Sequence, residues 1–208
     1  MEQIVRSLSM TFRTFAAVLL VSVLSPLPDG PEASASAFQS MLSSMSGETS
    51  LVIWKSEYSV TLFKGTVPVK TYRAVFGKGF ADGDKERTGD RRTPEGDFYI
   101  CSMNHSKRFY KFMGLSYPSL RHAEDGLRKG IISAREYQEI ETALREHRQP
   151  LWETRLGGAV GIHGRLIDDR SALLTRQNWT DGCIALANAD VDELFSIVTI
   201  GTPVTIIP

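Results

Sequence analysis

His163 and Cys183 lie twenty positions apart, each beside a glycine at the edge of a short apolar run. The first string is Gly161-Ile162-His163-Gly164. Sixteen residues separate His163 from Thr180, which opens the second, Thr180-Asp181-Gly182-Cys183-Ile184-Ala185. A lone cysteine is most often a small buried hydrophobe. Next to an imidazole it can be something else, because a thiol attacks as its thiolate and a nearby histidine is the usual base. Glycines at both groups let the backbone approach a substrate and aim amide N–H groups at a developing oxyanion. The chemistry these residues allow is acyl transfer through a thioester. Cys183 is the candidate nucleophile, His163 the candidate base, and the amides of Gly182 and Cys183 the candidate oxyanion hole. Asp181 invites promotion to a third catalytic member. A carboxylate that close would oppose the thiolate, however, so a position on the solvent-facing rim is expected.

The whole string is more specific than its two reactive residues. His163-Gly164, the spacer, and Thr180-x-Gly182-Cys183-Ile184 together resemble the signature of the L,D-transpeptidase catalytic domain (YkuD-type). Thr93-Pro94-Glu95-Gly96-Asp97-Phe98 is similar to a segment of the same family. So are the stretch from Asn188 to Phe195 and the closing Gly201-Thr202-Pro203-Val204-Thr205-Ile206. Asp181 and Ala185 depart from the commonest form of the motif, which has a second histidine and then Asn or Arg.

The resemblance covers roughly residues 49–208. It implies a mainly β fold with appended helices, a β-sandwich or open barrel carrying a helical insertion. It also implies a peptidoglycan substrate. The cysteine would attack the bond between the third, L-centred stem residue and the terminal D-alanine, and pass the acyl group to an amine of another stem, to a wall protein or to water. Transpeptidase, L,D-carboxypeptidase or other hydrolase, and a silent wall-binding module all remain open. By the same analogy the Gly164 carbonyl would hold the imidazole tautomer. Tyr117, Thr180, Asp181 and Arg165 are candidate substrate contacts. No cofactor or metal is implied.

Those residues need a frame to hold them. Leu51-Val52-Ile53-Trp54, Val60-Thr61-Leu62-Phe63 and the β-branched, aromatic stretch 67–76 read as a strand meander, followed by strands over 97–103, 160–163 and 204–207. Residues 77–96 are polar and glycine-punctuated. Asp82, Asp84 and Glu86 hint at a calcium loop, but Arg87 and Thr93 occupy its glycine and glutamate positions. The charges of 85–92 mix both signs and read as a solvated loop. Residues 104–118 read as an aromatic-rich loop.

Residues 119–149 read as a helical brace over the sheet. Within it Ser133 and Glu136 form a capping box and Tyr137, Ile140 and Leu144 share one face. His122 and His147, without partners at metal-ligand spacing, are expected on the surface. Asn188 is a suitable N-cap for a closing helix.

The remainder bounds the setting. Arg6 and Arg13 precede a ten-residue run at 15–24 that is apolar except for Ser22, and Ala33-Ser34-Ala35-Ser36-Ala37 supplies a small-residue site. Residues 1–37 therefore read as a signal peptide or an uncleaved anchor, the only route to a membrane, and 38–48 as a linker. This predicts an exported protein of the periplasm or cell wall. With 24 basic and 24 acidic residues the net charge is zero, which gives no field for nucleic acid. The two cysteines, Cys101 and Cys183, are expected to stay unpaired.

Overall fold

The computed structural model describes residues 47–167 and 170–208. The expected signal peptide and nearly all of the linker lie outside the described residues.

The fold is mainly β, one mixed eight-stranded sheet with a few helices. Strands β1 (Thr49–Trp54), β2 (Ser59–Lys64) and β3 (Val67–Arg73) form the antiparallel meander. β4 (Gly96–Ser106), β5 (Tyr110–Leu115), β6 (Gly161–His163), β7 (Ile184–Ala185) and β8 (Pro203–Ile207) complete the order β3-β2-β1-β8-β4-β5-β6-β7. β8 runs parallel to β1 and antiparallel to β4, so the C-terminal strand joins the two halves. Beyond β3 the chain reaches the far edge, where Val75 bridges Ala185 and Gly77 bridges Thr180. The sheet is thereby drawn toward closure.

The apolar alternation of these strands faces one core. Leu51, Ile53, Val60, Leu62, Ile100, Ile162, Ile184, Val204 and Ile206 are buried together. Each such aliphatic contributes about 1.5–3 kcal/mol on burial. The site is built at the end of this cluster, on the pair β6 and β7.

Three expectations need correction. Residues 104–118 are no loop: they finish β4, turn, and form β5, whose antiparallel register places Phe112 opposite His163. The insertion holds two helices, α1 (Leu120–Arg128) and α2 (Ala134–Arg145), the second started by the Ser133/Glu136 capping box. They enclose a second small core of Ala123, Ile132, Ile140 and Leu156 instead of only bracing the sheet. His122 is buried, with Ser119 Oγ 2.7 Å from Nδ1 and Asp84 Oδ1 3.2 Å from Nε2. Its polar atoms are satisfied by specific partners, which is what allows a histidine into that position.

After β6 a short helix, α3 (Ser171–Thr175), precedes β7, and α4 (Asn188–Ile197) follows it. Asn188 does not cap α4. Its side chain instead accepts from Arg165 N and donates to Arg165 O, each at 2.8 Å, clamping the segment that leaves His163.

Candidate active site

His163 closes β6 between two strands, opposite Phe112 of β5 and Ala185 of β7. Only 1% of it is exposed. Its Nδ1 lies 2.7 Å from the carbonyl of Gly164, which as an acceptor fixes the proton on Nδ1 and leaves Nε2 as the basic nitrogen. A side chain on Gly164 would meet Asn188 Oδ1 at 2.2 Å, so the clamp needs a glycine there. Phe109 stacks on the imidazole at 4.3 Å and Trp179 meets it edge-on at 5.8 Å. Burial among these rings pushes the imidazole pKa down to about 4, against the opposing Gly164 bond.

Cys183 immediately precedes β7. Parallel pairing sets Ile162 against Ile184 and His163 against Ala185. Side chains alternate along a strand, so Cys183 shares the face that carries His163. The turn before it is held by Thr180, whose hydroxyl donates to Cys183 O at 2.7 Å and accepts from Gly182 N at 3.2 Å. Gly182 has φ of 132°, and a side chain there would meet Arg92 O at 2.7 Å. The Cys183 thiol donates to Ala159 O at 3.6 Å. Burial pushes the thiol up to about 11, partly opposed by the Gly161 amide and Lys85. Both groups therefore rest neutral near pH 7, as thiol and imidazole.

The two open on one cleft of about 700 Å³, walled by Lys85, Arg91, Arg108, Phe109 and Trp152. Asp181 stands at its rim, 73% exposed and 3.7 Å from Arg91 Nε. Thr180 lines the cleft, but its hydroxyl is engaged inside the turn. Gly182 likewise gives its amide to Thr180, so one of the two expected oxyanion donors is already engaged. Arg165 lies over the Trp179 ring at 4.4 Å and borders a neighbouring hollow of about 420 Å³ rather than the cleft itself.

Tyr117 is not a substrate contact. It is fully buried, donating to Leu156 O at 3.2 Å, because its ring fills the core beside Phe98 and His122. The aromatic that reaches the cleft is Phe109, at the tip of the β4–β5 hairpin. Lys85 corrects the reading of 85–92 as solvated: it is 4% exposed and pairs with Asp90 at 2.7 Å.

Cys101 and Cys183 are both free thiols. Among the described residues no three His, Cys, Asp or Glu converge as metal ligands, and no helix is long and apolar enough to cross a membrane.

A family model described as the L,D-transpeptidase catalytic domain (YkuD) matches residues 48–206. No curated protein sequence matches the chain. Among solved structures, the helical cell shape determining protein Pgp2 from Campylobacter jejuni is 19% identical, with a TM-score of 0.50 over 76% of this chain and 47% of that one. Bd1075 from Bdellovibrio bacteriovorus is 17% identical, with a TM-score of 0.49 over 77% and 48%. The L,D-transpeptidase (residues 123-326) from Xylanimonas cellulosilytica is 15% identical, with a TM-score of 0.47 over 77% and 61%. The chain thus spans less than two thirds of the length of each of these proteins.

Proposed function

The chain belongs to the L,D-transpeptidase catalytic-domain family, and from that premise we propose that it is a cysteine acyltransferase acting on peptidoglycan stem peptides. One observation carries the reading. Cys183 and His163 open on the same cleft, with Nδ1 of the imidazole engaged by Gly164 O and Nε2 left to take a proton.

The reaction runs in two halves. Cys183 Sγ attacks the carbonyl of the third stem residue while its proton passes to His163 Nε2. The tetrahedral intermediate collapses, the C–N bond to D-alanine breaks, and the imidazolium returns the proton to the departing amine. A thioester on Cys183 remains. An amine of a second stem, an amine-bearing wall protein or water then attacks that carbonyl, loses its proton to His163 and releases the thiol. With thiol and imidazole both neutral at rest, attack is coupled to the proton transfer. The Cys183 amide is the remaining backbone donor for the oxyanion.

The work takes place outside the cytoplasm, in the periplasm or cell wall. The basic, apolar and small-residue succession over residues 1–37 supports this, as does the location of the substrate.

Incubation with purified sacculi, followed by digestion and mass analysis of the muropeptides, tests the reading. Loss of terminal D-alanine with new cross-links from tripeptide acyl groups is expected from wild-type protein and not from Cys183→Ala. Tripeptides without new cross-links would make water the acceptor. Unchanged muropeptides, with no carbapenem adduct on Cys183 in the intact mass, would leave a wall-binding module and overturn the proposal.

A further inference from the structure

Lys85 is a lysine in an unusual place. It lies in the connection between β3 and β4, yet its side chain is buried in the wall of the cleft that holds Cys183. Nζ donates to Asp90 Oδ1 at 2.7 Å and to Arg87 O at 3.0 Å. An ammonium carries three N–H donors, and among the described residues the third has no hydrogen-bond acceptor. Nζ also lies 4.0 Å from the point where a side chain on Gly182 would begin, one residue from the thiol. Asp90 is held in turn by the amides of Glu86 and Arg87, at 2.8 and 2.9 Å, and that of Arg92, at 3.1 Å. The ammonium is thus held by Asp90 and the Arg87 carbonyl, 5.9 Å from the Tyr117 ring, in the wall of the cleft.

Stability alone does not call for this arrangement. A buried ion pair can often be replaced by well-packed apolar side chains of similar volume at no net loss. The turn beside it, in contrast, must receive negative charge, and its Gly182 amide is engaged by Thr180. We infer that Lys85, oriented by Asp90, is the cation that stabilises negative charge at Cys183, first on the sulfur as its proton leaves and then on the tetrahedral oxygen. Asp90 is a positioning residue that acts through Lys85. The inference rests on the reading of Cys183 as the nucleophile.

Other charges share the cleft and are controlled for. His163 comes from β6, Arg91 from the same connection as Lys85, Arg108 from the β4–β5 hairpin, Glu153 from the segment after α2, and Asp181 from the turn itself. Arg91 is paired with Asp181 at the rim. Arg108 is exposed, with its guanidinium over Phe109. Of the two lysine and arginine side chains from residues 85–92 that line the cleft, only Lys85 is buried.

The experiment is the pH dependence of iodoacetamide alkylation of Cys183, followed by intact mass on the full chain, with folding checked by circular dichroism. Lys85→Met combined with Asp90→Asn removes both charges together, so no buried charge is stranded. Lys85→Gln alone keeps a donor toward Asp90 and removes only the cation. Lys85→Arg keeps the charge. The thiol titration is expected to move up by on the order of one pH unit in the first two, slowing alkylation roughly tenfold at pH 8, while Lys85→Arg restores most of the rate. A wild-type profile in either folded charge-free variant would overturn the inference. Failure of both to fold would assign Lys85 to structure alone and overturn it equally. Alkylation needs no stem peptide, so such a result would leave acyl transfer standing. Sacculi left unchanged by wild-type protein would defeat acyl transfer without touching this measurement.

Discussion

The carbonyl of Gly164 stands 2.7 Å from Nδ1 of His163 and accepts the hydrogen bond of the ring N–H there, the place an aspartate holds in a Ser-His-Asp triad. Asp181, the acid nearest in sequence to the nucleophile, is turned to Arg91 at the rim. Asp181→Asn is therefore expected to leave turnover within roughly tenfold of wild type, where loss of a triad aspartate costs on the order of 10⁴. His163→Ala should lower turnover by about 10²–10⁴. Muropeptide release rates on both variants, with folds matched by circular dichroism, check the contrast. A thousandfold loss in Asp181→Asn would put that residue into the catalytic set.

The neutral resting pair has a pH signature. The His163 imidazole stays unprotonated down to about pH 4, so the acid limb of turnover should fall near 4 instead of the ordinary histidine value of 6.5. The thiol, raised by burial to about 11, should alkylate about ten times faster per pH unit through the range 7–10. A plateau reached below pH 8 would instead reveal a preformed thiolate–imidazolium pair.

Thr180 ties both ends of the turn before Cys183 with one hydroxyl. Thr180→Val keeps the shape and leaves the Gly182 amide and Cys183 carbonyl without that partner, which costs about 1–3 kcal/mol. The expected outcome is a lower melting temperature together with a kcat reduced more than KM is raised. Thr180→Ser should recover most of both. Equal loss in Thr180→Ser and Thr180→Val would mean the methyl group, not the hydroxyl, holds the turn.

Asp84 joins the β3–β4 connection to the helical insertion. Its carboxylate meets Arg121 Nη2 at 2.6 Å, His122 Nε2 at 3.2 Å and the Glu95 amide at 2.8 Å. Burial pushes its pKa up, but the bonds to His122, Arg121 and the Glu95 amide outweigh it and hold the group at about 2, below the ordinary 3.8. A depressed carboxyl stabilises the fold above the unfolded value, and that contribution is lost as pH falls from 3.8 through 2. Asp84→Asn should cost about 1.5–3 kcal/mol at pH 7, read by denaturant unfolding. The gap from wild type should close near pH 2. A gap independent of pH would mean that shape rather than charge is lost.

That His163 and Cys183 meet at one cleft was legible because their two strings are local: a strand ending in His-Gly and a turn ending in Gly-Cys. The meander was legible for the same reason, since Leu51, Ile53, Val60 and Leu62 announce buried strands by their own pattern. What escaped was decided across the chain. Nothing near Lys85 shows that it is buried, because its burial depends on the fold enclosing the Lys85–Asp90 pair within the cleft wall. Asn188 has the local chemistry of a cap, and the Arg165 backbone, twenty-three residues earlier, recruits it first. In 104–118 the dense aromatics concealed a hairpin whose inward and outward faces both carry rings, so alternation gave no contrast. Tyr117 and Phe109 look alike in sequence; only the turn between β4 and β5 sends one into the core and the other to the cleft.

The bridge between Val75 and Ala185 also bears on how the protein avoids self-association. β7 is two residues long and would otherwise present bare N–H and C=O groups beside Cys183, a template for a strand from another molecule. Val75 N donates to Ala185 O at 3.0 Å and Ala185 N to Val75 O at 2.8 Å, so that edge is occupied from within. A concentrated protein with an unoccupied edge here would be prone to stack strand on strand. Val75→Pro removes one of these two bonds, and its first consequence should be concentration-dependent oligomers in light scattering, ahead of any loss of secondary structure.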